Sequence, residues 1–279
     1  MKIFLTGGTG FLGKNFIKQA VKKNNYIFAT TRKKKNKKIK NLKWLVGPFD
    51  KNWKELKNSD VLVHMAAAGV YQKYTPFKKC YAVNVVQSSR LLNNAIRANC
   101  LKWVIIGSCT EYQIKNRKIT HKFLQENKKS PYFNYAFSKF LFSNICLNLS
   151  KKLKIKCRVA RLFHIYGDGE KENRLWPLLI KAAKEGKDFF MTKGDQKRDF
   201  TKVDDAAKSI LKMANFKKKK KNFPQLWDLA SGKHMSVKSF VKKVWKQRKA
   251  KGKLIFNSIK DYDKNNYIPN KKIIWKTNN

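Results

Sequence analysis

The chain has 279 residues, 42% of them hydrophobic and 13% aromatic, which is enough for one large α/β unit or two joined lobes and too much for a disordered protein. Its formal net charge is +48, from 65 Lys and Arg against 17 Asp and Glu, and only nine of the basic residues are arginine. Lysine is spread along the whole length rather than gathered on one element, so the charge reads as solvated faces and loops, and a specific nucleic-acid partner is not expected.

Weak, salt-sensitive adhesion to polyanions is still the expected consequence of that charge. Cys80, Cys100, Cys109, Cys146 and Cys157 are odd in number, scattered and never spaced Cys-x-x-Cys. That argues against a disulfide framework and against a zinc or other metal site, and it suits a reducing cytoplasm. Met1 leads directly into an apolar run and glycines, so no signal peptide is expected. The longest nearly uncharged apolar run, Val61 to Val70, is too short to cross a bilayer, so no membrane insertion is expected.

Short apolar runs alternate with helical patterns through the N-terminal half, the pattern of an α/β fold with a doubly wound parallel sheet. Strands are predicted at Lys2 to Thr6, Tyr26 to Thr30, Trp44 to Val46, Val61 to Ala66, Trp103 to Gly107 and Cys157 to Leu162. Helices are predicted at Gly13 to Lys23, with Phe16, Ile17, Ala20 and Val21 inward, and at Val83 to Ala98, with Val86, Leu91, Leu92 and Ala95 inward. Later helices fall at Leu178 to Glu185, near Asp204 to Met213, and at Ser236 to Lys246, while the lysine run Lys217 to Lys221 reads as an exposed loop. The expected division is residues 1–165 as a dinucleotide-binding unit and 166–279 as a smaller lobe, with segments near 200–230 returning to the first.

T-G-G-T-G-F-L-G, Thr6 to Gly13, follows the first strand and opens the first helix, with glycines at 7, 10 and 13. Such a turn brings backbone close to a pyrophosphate and aims a helix N-terminus at it, which makes Gly7, Gly10, Phe11, Leu12 and Gly13 candidate cofactor contacts. The second strand ends A-T-T-R-K, with no acid to accept a ribose 2′-hydroxyl, and Arg32 stands where a cation would meet a 2′-phosphate. NADP(H) is therefore favoured, with NAD the alternative. Asp50, after the third strand, is either an adenine contact or a turn residue.

Tyr135 and Lys139 lie four apart in N-Y-A-F-S-K, on one face of a predicted helix. With the glycine turn stand V-H-M-A-A (Val63 to Ala67), Asn84, G-S-C-T-E-Y (Gly107 to Tyr112), R-L-F-H-I-Y-G (Arg161 to Gly167) and K-R-D-F-T-K-V-D-D (Lys197 to Asp205). In this order they resemble the extended short-chain dehydrogenase/reductase superfamily, in its nucleotide-sugar epimerase/dehydratase branch, over nearly the whole chain. The resemblance implies a Rossmann fold with a C-terminal substrate-binding lobe, Ser108, Tyr135 and Lys139 as catalytic residues, and a homodimer formed partly through the Tyr/Lys helix. It also implies that Ala66, Ala67, Asn84, Tyr135 and Lys139 adjoin the cofactor. On the substrate side it implies Thr110, His164, Arg174 and Arg198.

The residue types suit the chemistry. A free phenol, with pKa about 10, is a poor proton carrier at neutral pH, and a cation one helical turn away lowers that barrier. A guanidinium such as Arg198 matches a diphosphate. In related 4,6-dehydratases the catalytic threonine is followed by Asp and Glu, and here Cys109 and Thr110 stand instead. Relatives that epimerise twice carry a cysteine and a histidine at the positions of Thr110 and Arg174. What remains is 4-keto reduction of a nucleotide-activated sugar, with 4-epimerisation on tightly bound NAD as the alternative. A reading from another class, a non-catalytic dinucleotide-binding protein associated with nucleic acid, stays open beside them.

Overall fold

The structure is a computed structural model that describes residues 1–35, 38–70, 75–114, 133–216, 222–260 and 265–277. Its centre is a parallel sheet. The strands are β1 (Lys2–Thr6), β2 (Tyr26–Thr31), β3 (Leu42–Val46), β4 (Val61–His64), β5 (Lys102–Ser108), β6 (Lys156–Leu162), β10 (Gln225–Ala230) and β13 (Ile274–Lys276). Their order across the sheet is β13-β10-β6-β5-β4-β1-β2-β3. Ile3 pairs with Ile27 on one side and Val61 on the other, so β1 is central. Its Ile3, Phe4 and Leu5 are fully buried, which is why the run carries no polar alternation.

Each face of the sheet has its own apolar layer. On one side α1 (Phe11–Lys22) and α6 (Val203–Ala214) bury Phe16, Ile17, Ala206 and Ile210 against Ile3, Leu5, Val63 and Val104. On the other, α3 (Ser88–Arg97) and α4 (Phe133–Lys152) bury Leu91, Leu92, Phe142 and Cys146 against Phe4, Leu62, Trp103 and Ile105. This is a doubly wound α/β fold of Rossmann type.

The helix predicted at Val83 to Ala98 is built in three parts: α2 (Phe77–Tyr81), a π-helical turn over Ala82–Gln87, and α3. The wider turn rotates the register, so Val85 is buried and Val86 is only half-buried, where the regular spacing had placed Val86 inward. Leu91, Leu92 and Ala95 are buried as their spacing predicts.

Beyond β6 the chain adds a three-stranded sheet of β7 (His164–Tyr166), β9 (Lys197–Lys202) and β11 (His234–Ser236). A two-stranded sheet joins β8 (Phe189–Phe190) to β12 (Leu254–Ile255). With α5 (Leu175–Glu185) and α7 (Val237–Gln247) they enclose a separate core of Leu179, Phe189, Met191, Phe240, Val241 and Trp245. Between these pieces α6, β10 and β13 return to the large sheet. Arg158 of β6 anchors that return. Only 2% exposed, it donates to the carbonyls of Met213 and Asn215 and to Gln225 Oε1, beneath the rings of Phe216, Phe223 and Trp275. The run 217–221, expected as a loop, lies outside the described residues. No helix among the described residues is long and apolar enough to cross a membrane.

Candidate functional site

The glycine turn lies where β1 meets α1. Gly7 has φ +75°, and a Cβ there would come within 2.7 Å of the Ala66 nitrogen. At Gly13 a Cβ would stand 2.2 Å from the Gly7 carbonyl oxygen. Thr6 holds the crossing together, its Oγ1 accepting the N–H groups of Met65 and Ala66 at 3.2 Å and meeting His64 Nδ1 at 2.6 Å. Gly10 occupies the N-cap of α1 and no side chain caps the helix, so the first-turn N–H groups at Phe11 and Leu12 face the turn without a side-chain acceptor. A bare helix N-terminus behind a glycine cradle fits a dinucleotide pyrophosphate. Ala67, next along the loop after β4, is half-buried.

Arg32 and Lys33 are exposed at the end of β2, where Thr31 Oγ1 bonds both the carbonyl and the N–H of Lys33. Asp50 turns toward α3: its carbonyl accepts from Asn94 at 2.9 Å and its carboxylate is 3.8 Å from Arg90. Asn84, on the π-helical turn, is buried. Its amide donates to the Ala68 carbonyl and to Ser138 Oγ, both at 3.0 Å, and its oxygen accepts the Ala68 N–H at 2.7 Å. Both amide protons are thus used within the protein, and Asn84 ties the loop after β4 to α4.

Ser108 ends β5 and caps a 3₁₀ turn over Cys109–Gln113. Its Oγ accepts from the Thr110 N–H at 3.2 Å and lies 2.8 Å from Thr110 Oγ1, so Thr110 sits directly beside it. Tyr135 stands in the first turn of α4, half-buried, with its ring against Gly69, where an added Cβ would touch Tyr135 Cβ and Cδ2 at 3.4 Å. Lys139 is 3% exposed, and its Nζ donates to the Ile106 carbonyl of β5 at 2.5 Å. Burial pulls the Lys139 pKa below the ordinary lysine value, while Glu111 raises it.

Sequence reasoning passed over the groups behind these residues. Glu111, fully buried, accepts the Ser108 N–H at 2.8 Å, the Ser143 hydroxyl at 3.0 Å and Arg161 Nε at 3.0 Å. Arg161 also lies 4.9 Å over the Tyr112 ring, and the Tyr112 hydroxyl donates to Asp228 at 2.7 Å. The available signal was the spacing Ser108-x-x-Glu111, that of a capping box.

His164, Arg174 and Arg198 lie close enough to one another for both guanidinium groups to act on the imidazole. His164 lies on β7 with its Nδ1 buried and without a hydrogen-bond partner among the described residues. Burial, Arg198 and Arg174, in that order, hold its pKa down at about 3. Arg174 is the N-cap of α5, its Nε 3.5 Å from Glu170. Arg198, 4% exposed, donates to the Lys197 carbonyl and the Asn265 carbonyl, and its guanidinium stacks 4.6 Å from the Tyr267 ring. The neighbouring Asp199 is occupied otherwise, by the N–H groups of Ser231 and Gly232, each at 2.8 Å.

Known proteins resemble the chain in both sequence and fold. It is 27% identical over 216 residues to CDP-abequose synthase of Salmonella muenchen, covering 76% of this chain and 69% of that protein. It is 28% identical over 222 residues to GDP-6-deoxy-D-talose 4-dehydrogenase of Aggregatibacter actinomycetemcomitans, covering 76% and 70%. A UDP-glucose 4-epimerase of Vibrio cholerae is 27% identical over 177 residues, covering 61% and 54%. Among solved structures, MoeE5 in complex with UDP-glucose and NAD superposes with a TM-score of 0.78 at 19% identity, covering 98% of this chain and 91% of that one. Residues 3–226 match the NAD dependent epimerase/dehydratase family, and the chain belongs to that family, of extended short-chain dehydrogenase/reductase type.

Proposed function

We propose that the protein is a nucleotide-sugar 4-ketoreductase that uses NADPH. The observation that carries the reading is the meeting of β5 and α4: Ser108 ends the strand, Tyr135 and Lys139 share one face of the helix, and the Lys139 ammonium rests on the strand two residues before Ser108. A dinucleotide held by the glycine turn of Gly7, Gly10 and Gly13 would supply the hydride for C4. Tyr135 Oη hands its proton to the C4 oxygen as the carbonyl becomes an alcohol, and Ser108 Oγ orients that oxygen by hydrogen bonding. The nearby positive charge of Lys139 eases loss of the phenolic proton. An ammonium has three donors and Ile106 takes one, leaving two for the cofactor ribose.

Arg32 and Lys33 provide the charge for a 2′-phosphate. Arg174 and Arg198 supply positive charge for the substrate diphosphate, with the neutral imidazole of His164 in the same region, and Thr110 adjoins the sugar. The similarity to CDP-abequose synthase and to the 6-deoxy-talose dehydrogenase supports this substrate class. We also take the protein as a homodimer of the cytoplasm. Phe77 and Tyr81 are exposed and stacked at 5.5 Å beside Phe137, next to the half-buried Phe140 and Leu141 of α4, an apolar face suited to a second copy. The five cysteines are free and buried, as a reducing compartment allows.

The same residues support 4-epimerisation on retained NAD, which the likeness to the Vibrio cholerae enzyme favours. Mass spectrometry of gently purified protein tests the choice. An empty site that then binds NADPH more tightly than NADH supports the reductase, and NAD that stays bound through purification overturns it in favour of the epimerase.

A further inference from the structure

We infer that Glu111 is a positioning residue for this reaction: a carboxylate sealed beneath Ser108 that holds the hydroxyl-bearing turn in place and stands as the negative partner of the Lys139 ammonium. The inference rests on the Ser/Tyr/Lys reading above. Glu111 is fully buried and touches both segments that carry the reacting groups. On the strand side it accepts the Ser108 N–H at 2.8 Å. On the helix side it accepts the hydroxyl of Ser143, one turn beyond Lys139, at 3.0 Å. The space is reserved for it: a Cβ at Gly107 would lie 2.5 Å from Glu111 Oε1, so a larger residue there would expel the carboxylate.

The charge balance points the same way. A buried ammonium without an anion gives up its proton. Around Lys139, β4 presents His64, held neutral with a pKa of about 3 by burial and by Lys139 itself. Helix α4 presents Tyr135 and the Cys146 thiol, which burial pushes well up and keeps protonated. Strand β5 presents the Ile106 carbonyl. The 3₁₀ turn presents Glu111, and of these groups it alone carries negative charge. Burial pushes the Glu111 carboxyl up, but Arg161, the Ser108 N–H and Lys139 pull it back. Its three hydrogen-bond partners all donate, the arrangement an ionised carboxylate requires. Arg161 in turn is balanced by Glu111 and by Asp228.

The test is a spectrophotometric titration of tyrosine ionisation in the dinucleotide-free protein, for the wild type, Tyr135→Phe and Glu111→Gln. The wild type minus Tyr135→Phe is expected to give one step at least about one pH unit below the ordinary phenol value of about 10. In Glu111→Gln, an isosteric change, that step should move up by about one unit or more, because Lys139 no longer holds its proton through the range. A merely structural carboxylate would leave the step in place. Because Glu111→Gln strands Arg161, the double variant Glu111→Gln with Arg161→Gln serves as the second arm, and the same upward shift is expected. An unmoved step in either variant overturns the role of Glu111 and leaves the Tyr/Lys pair standing, as does failure of both variants to fold, which would assign the carboxylate to the fold alone. Absence of the low step in the wild type overturns the Ser/Tyr/Lys reading itself.

Discussion

Tyr135 is the residue on which the proposed chemistry turns, and its replacement has a sharp expected outcome. Tyr135→Phe removes one hydroxyl from a half-buried ring and leaves the packing on Gly69 intact. Turnover of a nucleotide-activated 4-keto sugar should fall by about 10²–10⁴-fold, the range for loss of a general acid. The dissociation constant for NADPH should change by less than about twofold, since the variant keeps every contact except the hydroxyl. His64 carries a second prediction. Burial and Lys139 depress its pKa to about 3, below the unfolded value, so the unfolded chain binds the proton more readily. The stability His64 contributes is complete above the unfolded pKa of about 6.5 and is lost as the pH falls toward 3. From pH 7 to pH 5 the loss is about 2 kcal/mol, and urea unfolding of His64→Gln should show a shallower pH dependence by about that amount. The Tyr/Lys pair was legible because i, i+4 spacing settles a shared helix face. The negative charge proposed to act on Lys139 was not, because Glu111 is brought near it only by the meeting of a turn and a helix.

At the scale of elements, the β1 turn and α1 form a joint with no spare volume. Gly13→Ala would drive a Cβ to 2.2 Å from the Gly7 carbonyl, and neither backbone can retreat without breaking the turn. The expected cost is about 1–3 kcal/mol of stability. On the proposed function, saturating NADPH should raise the melting temperature of the wild type, and that rise should vanish in the variant, as thermal unfolding with and without dinucleotide would reveal. The strand–glycine–helix order made this joint readable, since a tight turn and a helix start are local properties. The π-helical turn over Ala82–Gln87 was not readable from its period: one widened turn places Asn84 and Val85 inside and leaves Val86 half-buried. Strands β10 and β13 also escaped the sequence. Trp227 and Trp275, 5.5 Å apart across them, give no alternation that distinguishes an added sheet edge from a loop.

For the whole molecule, the net charge of +48 is a surface property with a measurable consequence. Among the described residues the only buried lysines and arginines are Lys139, Arg158, Arg161 and Arg198, so the rest of the basic excess there reaches solvent. The protein should be retained on heparin at low salt and released as the salt concentration rises, with log affinity falling linearly in log salt. Melting temperature should change little over the same range, since exposed charges contribute little to stability. Retention that persists in high salt would instead indicate a built nucleic-acid site.

The sequence by itself determined the parallel core strands, the glycine turn, the helix that carries Tyr135 and Lys139, and the family these motifs resemble. Each depends on local periodicity or on spacing within one element. Only the tertiary structure decided that Arg161 would meet Glu111 across 50 residues and that Tyr112 would meet Asp228 across 116. The same holds for the two C-terminal strands that extend the sheet. Such contacts depend on how layers pack, and no local period in the chain encodes which distant charges will share one buried space.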